Sequence, residues 1–230
     1  MPPDHILKRT VCRTGFANEA ALREIKLSHD QLATSIVGTY RLLDRIDATL
    51  VGDGVDPLCQ VVELANLSSM IGNILGAELA KCSNGLYVRN GPHKFPDLLS
   101  TGRNPVGDGI EIKMALNRNN PKGHLAKEGH YITCRYLLVD SAGVPCIEKA
   151  DRPKAQKAVV WELRTGYLKD QHFNISNTDG DSGKTAVINA EGMEVLKVVY
   201  VDLDIVPGAK RGARYKAYQA LFGSANPTLV

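Results

Sequence analysis

The sequence predicts an α/β domain with a central mixed sheet flanked by helices, and three observations carry that expectation. Residues 18–81 hold apolar side chains at helical period. From residue 86 onward the apolar runs shorten and alternate, with Gly, Pro, Asn and Ser between them, as strands and turns do. The chain has 230 residues, enough for one domain with a substantial core. The expected division is a single domain 1–230, made of a helical N-terminal part at 1–50, a core at 51–206 and a basic tail at 207–230.

Composition narrows the class. Hydrophobic residues make up 43% and charged residues 23%, which fits a soluble globular chain rather than a disordered one. The net charge of +3 permits nucleic acid without arguing for it, so a DNA-binding case has to rest on local clusters. Five cysteines, at 12, 59, 82, 134 and 146, are scattered and form no CxxC pair, which argues against a disulfide framework and against structural zinc. The opening MPPDHILKR has no apolar signal region, and no run reaches membrane length, so a reducing cytoplasm is the expected compartment.

Taken in order, residues 18–50 carry Leu22, Ile25, Leu32, Ile36, Leu42 and Leu43 among charges, the pattern of two helices with Ser28 capping the second. Residues 51–57 (VGDGVDP) break that pattern. Asp56 then reads as an N-cap with Pro57 as the first helical residue. Leu58 to Lys81 reads as one largely buried helix, where Gly72 and Gly76, four apart, leave room for another backbone to approach. Glu63 and Glu78 are carboxylates in this apolar stretch. A buried carboxylate is costly unless paired or metal-bound, and a narrow solvent-facing seam is the alternative for each.

Ser83, Asn84 and Gly85 close that helix, and Leu86 to Asn90 reads as a strand leading to Gly91–Lys113 (GPHKFPDLLSTGRNPVGDGIEIK). Two apolar runs, Phe95–Leu99 and Gly109–Ala115, are joined by a turn-rich connection. The first carries Asp97 directly after Pro96; the second carries Glu111 and Lys113 around Ile112. Strand alternation puts Glu111 and Lys113 on one face and Ile112 in the core. If the runs pair, Asp97 and Glu111 converge on one hard cation with Lys113 beside it. Mg²⁺ is typically held by one or two carboxylates plus water and phosphate oxygens. Such a metal stabilises phosphoryl charge, and an adjacent ammonium orients the attacking water. The kit suits hydrolysis of a phosphodiester.

Pro96-Asp97, thirteen intervening residues, and then Glu111-Ile112-Lys113 resembles the PD-(D/E)xK nuclease superfamily, and most of all its type II restriction endonucleases. The resemblance covers roughly Val55 to Val139 and is looser beyond. It implies Mg²⁺-dependent, site-specific cleavage of double-stranded DNA with 5′-phosphate ends, as the nuclease half of a restriction-modification pair. Asp97 and Glu111 would hold the metal with the Ile112 carbonyl as third ligand, and Lys113 would position or activate the water. Some superfamily members place a helix-borne glutamate near the metal, which makes Glu63 or Glu78 an accessory candidate. Members often act as homodimers on palindromes, a two-fold protein matching a two-fold site.

Candidate DNA contacts follow from residue type. His93 and Lys94 stand just before the motif, placed for a phosphate or for the loop alone. Residues 114–130 (MALNRNNPKGHLAKEGH) supply Asn117, Arg118, Asn119, Asn120, Lys122 and His124, with Lys127 and His130, and Pro121–Gly123 marks a loop. Asn suits adenine edges, and Arg and Lys suit guanine or phosphate. His124 and His130 lack the spacing and partners of a zinc site.

Tyr131–Asp140 reads as a central strand, residues 141–145 as a turn, residues 149–157 as an exposed connection, and Val159–Leu168 as a strand with Trp161 in the core. Gln171–Thr185 (QHFNISNTDGDSGKT) ends like a phosphate loop, but Thr178 stands where the pattern needs Gly. Counted as a calcium loop from Asn177, position six is Ser182 and position twelve is Ile188, so that fails too. What is left is a long polar loop with Asn174, Ser176, Asn177, Thr178, Ser182 and Lys184, a second candidate DNA-contacting element. Ala190–Leu196 reads as one or two helical turns and Lys197–Asp202 as a last strand. The tail carries Lys210, Arg211, Arg214 and Lys216 with Tyr215 and Tyr218, a mixture that suits either a phosphate backbone or a solvated helix.

Two rival readings stay open at this level. One is a repair or recombination nuclease of the same fold that reads DNA structure. The other is a non-catalytic DNA-binding module, which would bind without Mg²⁺ and ignore Lys113→Ala.

Overall fold

Helical period in the N-terminal third becomes α1 (Glu19–Glu24), α2 (His29–Gly52), α3 (Leu58–Val61) and α4 (Leu64–Cys82) in the computed structural model, which describes residues 8–92, 94–102, 107, 109–123, 126–176, 185–208 and 212–222. Ser28 starts α2 as expected. Its hydroxyl accepts the Gln31 N–H at 3.2 Å, and the Gln31 side chain accepts the Ser28 N–H at 2.9 Å. The single helix expected over Leu58–Lys81 is broken, because the backbone turns extended at Val62 and Glu63. Asp56 does not cap it. Pro57 takes that position, and the Leu58 N–H donates to Asp47 Oδ1 at 2.9 Å, so a carboxylate from α2 performs the capping.

The strands are β1 (Tyr87–Arg89), β2 (Leu98–Ser100), β3 (Gly109–Leu116), β4 (Lys122–Gly123), β5 (Gly129–Val139), β6 (Lys157–Leu168), β7 (Phe173–Ser176), β8 (Thr185–Ile188) and β9 (Lys197–Val201). Six form one sheet in the order β1, β2, β3, β5, β6, β9. β3 and β5 run parallel and the other neighbours antiparallel, so the sheet is mixed. β4, β8 and β7 form a smaller antiparallel sheet.

Helices cover one face of the large sheet. α4 lies on β1 and β3, with α2 beside it. Gly72 and Gly76 permit that contact, although side chains rather than a backbone make the approach. A Cβ at Gly76 would sit 3.0 Å from Ile112 Cδ1, and one at Gly72 would sit 2.9 Å from Met114 Cγ. Tyr40 ties α2 to β6, its hydroxyl accepting the Val160 N–H at 3.0 Å and donating to the Val160 carbonyl at 3.1 Å.

On the opposite face lie the small sheet, α5 (Ala190–Val195) and α6 (Ala213–Ala220). Tyr131, Leu168, Phe173, Ala186, Ile188, Met193 and Leu196 pack there as a second apolar cluster. With both faces covered, β5 is buried from Tyr131 to Val139, as a central strand requires. Two expectations change. Pro121–Gly123 was expected as loop, yet Lys122 and Gly123 pair with Val187 and Ala186. Residues 171–185 were expected as one long loop, yet Phe173–Ser176 pairs with Thr185–Ile188. Pairing partners more than 60 residues away in the chain decide the first case, and local pattern does not report them. Among the described residues, no helix is long and apolar enough to cross a membrane.

Candidate active site on strands β2 and β3

β2 and β3 pair with Leu98 opposite Ile110 and Leu99 opposite Gly109. Gly109 makes the approach possible: its φ is +140°, and a Cβ there would fall 1.9 Å from the Leu98 carbonyl oxygen. Asp97 is in the bend just before β2 rather than within the strand. From there it meets the edge of β3. The Ile112 N–H donates to Asp97 Oδ2 at 2.8 Å, and the Asp97 N–H donates to Glu111 Oε2 at 3.2 Å. The Lys113 ammonium forms an ion pair with Glu111 Oε1. Residues fourteen apart in sequence are thereby locked by reciprocal main-chain to side-chain bonds.

Glu111 is only 7% exposed. Burial pushes its proton affinity up, Lys113 pulls it down, and the neighbouring Asp97 carboxylate raises it again, so its pKa lies above the ordinary carboxylate value. In a strand the N–H and C=O of one residue point to the same side, so the Ile112 carbonyl faces the edge that carries Asp97. Two carboxylates and a main-chain carbonyl are hard oxygen donors of the kind Mg²⁺ accepts, and Mg²⁺ keeps waters or substrate oxygens in its other positions. Among the described residues, no group of three or more His, Cys, Asp or Glu is disposed to hold a metal, so these residues do not build an all-protein cage.

The helix glutamates do not join this pair. Ile112 and Met114 point to α4, so Glu111 and Lys113, alternate along β3, face away from it. Glu63 is exposed at the start of α4, and Glu78 packs against Gly38 of α2 and pairs with Lys81. Both lie on the helical side of the sheet, which explains their place in an apolar stretch without a metal.

The candidate DNA contacts divide. Lys94, Arg118, Asn119, Lys122 and Asn174 are exposed. Lys122 on β4 and Asn174 on β7 both pair with Val187 of β8, so residues 52 apart in sequence share one cross-strand row. Asn120 is exposed too, and both it and Asn117 use their side chains to hold the fold. Asn117 turns the chain after β3 with φ +57°, accepts Trp161 Nε1–H at 3.0 Å on its carbonyl, and donates from its amide to the Ile147 carbonyl at 3.3 Å. Asn120 accepts from Arg135 at 3.1 Å and donates to the Ile188 carbonyl at 2.9 Å. His130 sits edge-on to Tyr167, ring centroids 5.1 Å apart, on the helical side of β5. His93, His124, Asn177, Ser182 and Lys184 lie outside the described residues, as do Thr178, Lys210 and Arg211.

Lys127, a candidate DNA contact in the sequence, and Gly123, expected in a loop, both neighbour the site. Lys127 places its ammonium 4.6 Å from the centre of the Phe95 ring, two residues from Asp97, and its carbonyl accepts the Tyr131 hydroxyl at 2.7 Å. Gly123 passes directly over the Lys113 side chain. Its proximity follows from β4 pairing, which sequence periodicity does not display.

No protein-family model matches this sequence, and no curated protein matches it at a significant level. The chemistry of the site therefore rests on its own residues.

Proposed function

We propose that this chain is a type II restriction endonuclease of the PD-(D/E)xK superfamily, hydrolysing phosphodiester bonds of double-stranded DNA at a specific site with Mg²⁺ and leaving 5′-phosphate ends. The observation that carries the reading is the coupling of Asp97, Glu111 and Lys113 across β2 and β3: two carboxylates tied through main-chain N–H groups, with an ammonium on the second. A purely structural ion pair on a strand would not require Asp97 to bond back to the strand between Glu111 and Lys113. The mixed six-stranded sheet flanked by helices is compatible with a restriction-endonuclease fold. Action as a homodimer on a palindrome, in a cytoplasmic restriction-modification pair, belongs to the same proposal.

In this mechanism Asp97, Glu111 and the Ile112 carbonyl are the groups that would hold the cation. Mg²⁺ when bound supplies Lewis-acid stabilisation of charge on the phosphoryl oxygens. The Ile112 N–H aims the Asp97 carboxylate, and the Asp97 N–H aims Glu111, so both are oriented before substrate arrives. Lys113 rests on Glu111. From that position its ammonium would orient the attacking water and stabilise charge on the scissile phosphate. Lys94, Lys122 and Lys127 bring positive charge to phosphates around the site, while Arg118, Asn119 and Asn174 offer hydrogen bonds to base edges.

The test is incubation of the purified protein with phage DNA, with Mg²⁺, with EDTA, and as Asp97→Ala. Discrete fragments that need Mg²⁺ and Asp97 are expected. A smear would favour a structure-reading or non-specific nuclease. Intact DNA in every lane, with Mn²⁺ as well, would leave only a binding module.

A further inference from the structure

Lysine has a flexible four-carbon stem, and an ammonium that must sit on one carboxylate oxygen needs walls to keep it there. Lys113 has such walls: its side chain is 18% exposed although its tip is charged. One wall is β4. A Cβ built on Gly123 would lie 2.7 Å from Lys113 Cε and 2.8 Å from its Nζ, closer than such contacts allow. β4 itself is fixed, because Gly123 pairs with Ala186 of β8, which is 1% exposed inside the second apolar cluster. Between a strand anchored in a core and the end of a lysine, the lysine yields.

We infer that Gly123 is a positioning residue for Lys113: its missing side chain leaves open the route along β4 by which the ammonium reaches Glu111. The inference rests on the nuclease reading for its catalytic consequence but not for its geometry. It also joins two parts of the molecule. Lys122, the adjacent residue, is exposed in the cross-strand row with Asn174, so one two-residue strand offers a cation to DNA and clears the path of the catalytic ammonium. Nothing in the sequence around PKGH signals this, since the residue that matters is the one with no side chain.

The experiment follows the Lys113 side-chain Cε and Nζ resonances, assigned with Lys113→Arg, in the full chain and in Gly123→Ala. In the parent protein the resonance should shift when Glu111 is changed to Gln, reporting the ion pair. In Gly123→Ala it should move to the position of a free lysine. Cleavage should then lose roughly 10- to 100-fold in kcat, the scale of a misplaced catalytic group, with KM for DNA unchanged. Gly52→Ala, where a Cβ would meet nothing within 4 Å, should change neither reading. If Gly123→Ala folds poorly, Lys113→Ala in the same chain should restore its stability, because it removes the atoms that clash. An unmoved Lys113 resonance, an unchanged kcat despite a moved resonance, or a double variant no more stable than the single would overturn the inference. A parent protein that cuts no DNA but shows the resonance shift would sink the nuclease reading and keep the positioning role.

Discussion

Glu162 and Glu111 occupy the same face of the central sheet, two strands apart, and both are buried beside cations. Glu162 is 1% exposed and closed on both oxygens. Arg135 reaches Oε1 at 2.9 Å, Arg164 reaches Oε2 at 2.8 Å, and the Tyr218 hydroxyl donates to Oε2 as well. The arginines are pinned in turn, Arg135 by the Asn119 carbonyl at 3.0 Å and the Asn120 side chain at 3.1 Å, Arg164 by the Met193 carbonyl at 2.9 Å. Among the described residues, Glu111 has one ammonium, one main-chain N–H, and a second carboxylate close enough to raise its pKa. Planar guanidinium forks fasten an anion from several sides, whereas an ammonium on a flexible stem can leave. The first arrangement is built to stay; the second is built to exchange.

That contrast can be broken from either side. The largest expected effect is on activity. Asp97→Ala should cut the cleavage rate by about 10³-fold, the scale of losing a main electrostatic group, while the thermal midpoint stays near that of the parent. Glu162→Ala should behave in the opposite way, costing about 3–5 kcal/mol of stability because the buried Arg135 and the half-buried Arg164 lose their anion. Urea unfolding followed by fluorescence of Trp161, edge-on to Tyr218 at 5.9 Å, would report it. Equal stability losses in the two variants would remove the distinction between a fixed and an exchangeable carboxylate.

Asp202 extends the comparison to a carboxylate raised by burial, where the Asp204 N–H donates to Oδ1 at 3.1 Å. Burial pushes its pKa up to about 6. The folded state therefore binds the proton more tightly than the unfolded chain. Its contribution to stability is full below the ordinary carboxylate value and is lost as pH rises through about 6. Asp202→Asn should raise stability at pH 7 by about 2 kcal/mol and flatten the profile between pH 4 and 6, as chemical unfolding across that range would show.

A smaller effect concerns Glu111 itself. Lys113 holds its pKa down against burial and Asp97, so Lys113→Gln should move the Glu111 titration further up. Carboxyl-carbon NMR across pH 4–8 would follow it, and a downward movement would contradict this balance of charges. The smallest effect expected is at the rim. Lys122→Ala should weaken DNA binding evenly across sequences and reduce the slope of log K against log salt by about 1, the mark of one phosphate contact.

Much of this was legible in the chain. Helical and strand periods placed α2, β3, β5, β6 and β9 with small errors at their ends, because each buries a regular stripe that local spacing records; α4 was legible as a helix, but not the extended break at Val62 and Glu63 before it. Ser28 as an N-cap was legible for the same reason: its bond closes within four residues. Glu111 and Lys113 were placed on one face by strand alternation alone. The errors cluster where a distant partner decides. Asp47 replaced Asp56 as a cap, Arg135 recruited Asn120, and β4 and β7, from segments that read as loops, joined β8 in a sheet.

The sequence by itself determined the α/β class, the mixed order of helices and strands, and the pairing of residue types that makes Asp97, Glu111 and Lys113 chemically apt. Those follow from periodicity and from side-chain chemistry, which are local properties. Only the tertiary structure decided that Glu63 and Glu78 lie behind the sheet, that Asp97 bonds back to Ile112, and that Gly123 stands over Lys113. Each depends on which surface faces which across the sheet. Packing of distant segments fixes that relation, and no window along the chain contains it.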